Sequence, residues 1–140
     1  MSNIELINDK NLDCSFAIFK NANLTLESGS ILKNFKLAYK TFGSLNENKT
    51  NAVLVCHALT GDQYVSGHNP ITGREGWWSR MVGPNKPIDT NKFFVICSNV
   101  LGGCAGSTGP KEKKYDDENI YGGDFPSVTI KDMVQAQVKL

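Results

Sequence analysis

Two stretches of the chain are apolar at every position: Ala52-Val53-Leu54-Val55-Cys56 and Phe93-Phe94-Val95-Ile96-Cys97. A strand with one wet face alternates apolar and polar residues. A run without alternation suits a strand covered on both faces, as in parallel sheets. Parallel neighbours require a long crossover connection, and the segment between the two runs is long enough to be one. An α/β class is therefore predicted. At 140 residues and 40% hydrophobic content the chain is one domain's worth of a globular protein, and not a disordered or collagen-like one.

Charge narrows the function classes. Fifteen basic and fourteen acidic residues leave a net charge of +1 with no block of one sign. Nucleic-acid binding is not expected, because it needs clustered Lys and Arg to displace counterions. Met1 to Lys10 alternates polar and apolar residues and carries Glu5 and Asp9, unlike a signal peptide. No window approaches a membrane span, so a cytoplasmic protein without membrane contact is expected. The cysteines Cys14, Cys56, Cys97 and Cys104 form no CxxC pair and read as free thiols. Cys56 and Cys97 lie inside the apolar runs, where a cysteine is usually a small buried hydrophobe.

Leu24–Glu27 and Phe35–Phe42, separated by a polar turn with Gly29, read as a hairpin. Residues 46–51 and 61–74 read as loops. Trp77 to Val82 reads as a short helix closed by Gly83-Pro84, and paired tryptophans most often fill a core edge. Leu101 to Pro110 is too rich in glycine for regular structure and lets backbone approach a ligand or another loop. Thr129 is a good N-cap with Asp132 three residues on, and Ile130, Met133, Val134, Gln137, Val138 and Leu140 recur at helical spacing. No stop signal follows. The expectation is that residues 1–140 are the N-terminal portion of a single larger α/β domain.

One motif follows the first buried strand directly: His57-Ala58-Leu59-Thr60-Gly61. Open α/β sheets build their sites at the carboxyl ends of strands. A turn there can aim a backbone N–H at a developing negative charge. The same residues also fit a plain strand exit with a hydrogen-bonded histidine. His57, His68 and the cysteines lack the close ligand pairs of a zinc site, so no metal is expected. Gly109 is followed by Pro110 and not by Lys, which removes a P-loop, and GxGxxG is absent.

Several blocks in fixed order resemble the homoserine O-acetyltransferase family of α/β-hydrolase-fold enzymes. They are Leu37-Ala38-Tyr39-Lys40-Thr41-Phe42-Gly43, Asn51 to Gly61, Gly76-Trp77-Trp78, Gly83 to Thr90, Phe93 to Ile96, Asn99-Val100-Leu101-Gly102, Gly106 to Pro110 and Asp124-Phe125-Pro126. The resemblance implies a β-hairpin followed by mostly parallel strands with crossover helices, here an incomplete sheet. It implies acetyl transfer from acetyl-CoA, a co-substrate and not a cofactor, to L-homoserine in methionine synthesis. The route is an acyl-enzyme on a Ser assisted by His and Asp. It further implies a homodimeric enzyme. In this scheme the backbone N–H of Leu59 is half of the oxyanion hole, with His57, Ala58, Thr60 and Gly61 as candidate substrate-loop residues.

No G-x-S-x-G occurs in the 140 residues, and both histidines lie early. The nucleophile, base and orienting carboxylate are absent from this stretch, so the 140 residues by themselves are expected to be inactive. Two alternatives stay open: an acyltransferase using L-serine or succinyl-CoA, and a non-catalytic remnant or interaction module.

Overall fold

The computed structural model describes residues 3–115 and 117–140. Met1, Ser2 and Asp116, which belong to the 1–140 unit read from the sequence, lie outside the described residues. Nine strands are described, β1 (Asn3–Asp9), β2 (Cys14–Thr25), β3 (Ile31–Phe42), β4 (Ala52–Val55), β5 (His68–Asn69), β6 (Arg74–Glu75), β7 (Val82–Gly83), β8 (Ile88–Asp89) and β9 (Phe94–Ser98), with one α-helix, α1 (Ile130–Val138). Five of them form the main sheet in the order β1-β2-β3-β9-β4.

The expected hairpin is β2–β3, antiparallel and longer than its sequence signal. It is interrupted by a bulge between Phe19 and Asn23, where Asn21 (φ 54°) and, on the partner strand, Asn34 (φ 47°) adopt left-handed backbone. The two apolar runs do pair in parallel, Val53 against Val95 and Val55 against Cys97. Their burial differs from the expectation. β9 is inside the sheet, whereas β4 is its edge strand, with Leu54 55% exposed. Cys56 is likewise exposed rather than buried, because the chain has left the sheet there; Cys14 and Cys97 are buried as small hydrophobes. All four thiols are free.

Alternation along β3 sends Leu37 and Tyr39 into one apolar cluster and Phe42 into another, one on each face. The first cluster holds Phe19, Leu24, Phe35, Leu37, Leu101 and Ala136; the second holds Val55, Val65, Val82, Val95 and Cys97.

The helix expected at 77–82 is not formed. Bonds from Met81 N–H and Val82 N–H to the Trp78 carbonyl close a single turn, after which Val82 pairs in parallel with Ile88. Pairing with β8 takes the residues that would have continued the helix. The crossover between β4 and β9 is thus made of turns and two-residue strand pairs.

The helix α1 starts where its cap predicts. Thr129 Oγ1 accepts from Asp132 N–H, and Asp132 Oδ2 accepts from Thr129 N–H, a reciprocal capping box. Its apolar stripe is divided: Met133 and Leu140 pack against the first cluster. Asp132 and Ala136 are buried, while Ile130 (78%) and Val138 (81%) face outward. The reason is polar: Asp132 Oδ1 also accepts the N–H of Glu27 at 2.9 Å, which turns this side of the helix toward the end of the hairpin. Thr129 Oγ1 and Lys131 both donate to the Glu27 carboxylate, and Gln137 Nε2 donates to Ser98 Oγ.

Burial alone would raise the Asp132 pKa, but the N–H groups of Thr129 and Glu27 outweigh it and hold the carboxyl below its ordinary value. A depressed folded-state pKa contributes stability above the unfolded value of about 3.9, and that stability is lost as pH falls through the folded value. Asp132→Asn is therefore expected to be less stable than the native chain at neutral pH. The gap should close in urea melts run progressively below about pH 4.

Candidate active site: the turn after β4

The parallel pair β4–β9 points its carboxyl ends the same way, and both strands exit into loops, residues 56–66 and 99–110. His57 joins the two exits. Val100 N–H donates to His57 Nε2 at 3.2 Å, and His57 Nδ1 lies 2.6 Å from the Ala58 carbonyl. A backbone N–H can only donate, so Nε2 is the accepting nitrogen and the ring proton sits on Nδ1, assigned from these hydrogen-bond roles. The Ala58 carbonyl also accepts Gly61 N–H at 2.7 Å, closing the turn. A Cβ at Gly61 would come within 3.0 Å of His57 Cβ and 3.2 Å of the Ala58 oxygen, so the turn is built around a glycine.

His57, Ala58 and Gly61 are thus brought together, while Leu59 and Thr60 form the exposed tip. The Leu59 side chain is 79% exposed, and its N–H donates to no acceptor among the described residues. The segment beyond is firmly held. Asp62 Oδ1 accepts from Tyr64 N–H and Oδ2 from Asn69 Nδ2, the Asp62 carbonyl takes Trp77 Nε1–H, and the buried Tyr64 hydroxyl donates to the Leu12 carbonyl. Trp77 and Trp78 stack at 5.9 Å, with Trp78 against the second cluster and Trp77 at its exposed edge.

The glycine-dense loop approaches its own strands. At Gly106 (φ +109°) a Cβ would lie 2.8 Å from the Phe16 ring. Residues 107–108 act as a substitute strand for β3: Ala38 N–H donates to Ser107 Oγ, Lys36 N–H to Thr108 Oγ1, and Thr108 N–H to the Lys36 carbonyl. Ser107 Oγ in turn donates to the Asn99 carbonyl at 2.8 Å. Its hydroxyl is buried and engaged both as donor and as acceptor, which makes it structural. Ser107→Ala would leave the buried Ala38 N–H unpaired and is expected to destabilise by about 1–3 kcal/mol in denaturant melts. The Gln63 side chain bridges to the Ala105 carbonyl, and Gln63 Oε1 and Asn99 Oδ1 are buried acceptors without a donor among the described residues. Gln63 was not singled out from the sequence and Asn99 only within a block of the resemblance, because their burial depends on loops that are distant along the chain.

The two buried thiols are muted. Burial pushes the Cys97 thiol up to about 12 and raises Cys14 as well, so neither is a ready thiolate. His68 sits on β5, and no group of three or more His, Cys, Asp or Glu side chains suited to a metal occurs among the described residues. A cavity of about 530 Å³ lies between the hairpin and residues 108–115, away from the turn. Its lysines are already paired, Lys36 with Glu112, Lys113 with Glu118 and Lys20 with Glu5. No described helix is long and apolar enough to cross a membrane.

An antiparallel hairpin leading into a parallel pair, with a glycine-closed turn at the carboxyl end of β4, is the beginning of an α/β-hydrolase fold. Esterase E22 matches 90% of the chain with a TM-score of 0.76 at 31% identity, over 36% of its own length. Homoserine O-acetyltransferase from Bacillus anthracis matches 99% of the chain with a TM-score of 0.76 at 29% identity, again over 36% of its length.

In sequence, the chain is 61% identical over 117 residues to homoserine O-acetyltransferase of Pelagibacter ubique, covering 84% of this chain and 32% of that protein. It is 54% identical over 118 residues to the homoserine O-acetyltransferase of Acidiphilium cryptum, covering 84% of this chain and 31% of that one. These relatives bear out the resemblance to the homoserine O-acetyltransferase family. The chain spans about a third of the length of the curated relatives it matches. No family model matches it.

Proposed function

We propose that residues 1–140 are the N-terminal portion of a single α/β-hydrolase domain that transfers an acetyl group from acetyl-CoA to L-homoserine through an acyl-enzyme, in the cytoplasm and as a homodimer, as a step of methionine synthesis. In this reading the turn His57–Gly61 supplies one arm of the oxyanion hole through the Leu59 N–H. The nucleophilic Ser, the His and the Asp come from sequence not among these 140 residues. The observation that carries the reading is the Leu59 amide itself, an unpartnered N–H at the carboxyl end of a parallel strand, within a segment 61% identical to a named homoserine O-acetyltransferase. An oxyanion hole needs such a donor held in place before charge develops.

A hybrid tests it. Residues 1–140 replace the matching segment of the Pelagibacter ubique enzyme, and O-acetylhomoserine formation from acetyl-CoA is measured. Activity near that of the parent is expected. A folded hybrid that forms no O-acetylhomoserine would refute the reading. The likeness to esterase E22 supports a second reading, in which water takes the acyl group. Free acetate released in place of O-acetylhomoserine would identify it.

A further inference from the structure

We infer that His57 is the positioning residue of the turn: as a neutral imidazole protonated on Nδ1, it fixes the Ala58–Leu59 peptide so that the Leu59 N–H points out of the turn. The inference rests on the reading of Leu59 as an oxyanion donor and deepens it.

The argument runs through one carbonyl. The Ala58 oxygen has two lone pairs, and two donors occupy it: Gly61 N–H at 2.7 Å and His57 Nδ1–H at 2.6 Å. Both belong to the turn, so the carbonyl is drawn inward. No cis peptide bond occurs among the described residues. In a trans peptide the N–H lies opposite the C=O in the same plane. Holding the Ala58 carbonyl inward therefore sends the Leu59 N–H the other way, where it meets no protein acceptor.

The far end of the ring decides which nitrogen carries the proton. Its far nitrogen is anchored by Val100 N–H at 3.2 Å, just past the end of β9. The direction of the Leu59 amide is thus referred, through one histidine, to the strand that pairs with β4. The Nε2–H tautomer would set donor against donor at Val100 and lose the bond to Ala58. Only the Nδ1–H form satisfies both ends.

A histidine that merely satisfies the loop would stabilise the fold without selecting between its two bonds, and the following measurements separate the roles. The chain has two histidines, so ¹⁵N-histidine labelling resolves the ring nitrogens, with His57→Ala assigning them. A protonated, pyrrole-type Nδ1 and an unprotonated Nε2 on His57 are expected. The opposite tautomer, or the mixture of a free imidazole, would overturn the inference.

In the hybrid enzyme, His57→Asn puts an amide donor near the place of Nδ1, keeping the bond to Ala58 and losing Val100. His57→Gln reaches Val100 and leaves the Ala58 carbonyl to Gly61 alone. Asn is expected to retain most of kcat and Gln to lose about tenfold or more, with KM little changed in both. Equal kcat in the two variants, whether both high or both low in step with stability, would overturn the positioning role. If the unsubstituted hybrid forms no O-acetylhomoserine, the proposed function fails, while the tautomer measurement still decides His57 on its own.

Discussion

Exchanging the Leu59 amide for an ester, by incorporating the hydroxy-acid analogue of leucine, is expected to slow acyl transfer by the hybrid enzyme about 10²–10³-fold. The exchange deletes one N–H and leaves the side chain and the backbone trace in place. That magnitude is the usual loss when one preorganised donor is removed from an oxyanion hole. Leu59→Ala keeps the N–H and removes only a side chain that is 79% exposed, so its rate is expected to stay close to native. Leu59→Pro also lacks the donor, but it fixes φ near −65° and perturbs the turn, so it should lose at least as much. The decisive comparison is ester against Ala, read as kcat with saturating acetyl-CoA and homoserine. If Ala loses as much as the ester, the side chain carries the effect and the turn is not an oxyanion arm.

How much of this was legible beforehand depended on the range of each interaction. The capping box at Thr129 and Asp132 was legible because its partners are three residues apart. The parallel pairing of β4 and β9 was legible because unbroken apolar runs have few other uses. The burial of β4 was not, since Leu54 reads the same at a sheet edge as within a sheet. Which part of the α1 stripe faces inward was not legible, for a related reason. Periodicity does not separate Ile130, Val134 and Val138 from Met133 and Leu140, whereas the N–H of Glu27, more than a hundred residues earlier, selects the side that carries Asp132. The apolar spacing from Trp77 to Val82 suits a helix, and only the strand pairing of Val82 with Ile88 shows why it stops after one turn. At the site, the turn's place after β4 could be read from the motif. The partner of His57 could not, because Val100 lies on another strand's exit.

The largest change in stability is expected at Phe19. It is 1% exposed and directly opposite Phe35 in the β2–β3 register, with the rings stacked at 4.6 Å and 20°. It is also the last regular pair before the bulge, so its ring helps to hold the register where the ladder is about to break. Leu24, Leu37, Leu101 and Ala136 belong to the same cluster, so one truncation opens a cavity shared by the hairpin, the 101–110 loop and α1. Phe19→Ala is expected to cost about 3–5 kcal/mol in urea melts, a large share of the 5–15 kcal/mol typical of a domain. Combining it with Phe35→Ala should show a coupling of about 0.5–1.5 kcal/mol, the part owed to the stacked pair beyond buried area. Ile130→Ala is the contrast. It removes as apolar a side chain from the outward face of α1, where 78% of it is exposed, and should move stability by no more than about 0.5 kcal/mol. A cost at Ile130 as large as that at Phe19 would mean that α1 packs through the Ile130 side of its stripe and not through Asp132, Met133 and Ala136.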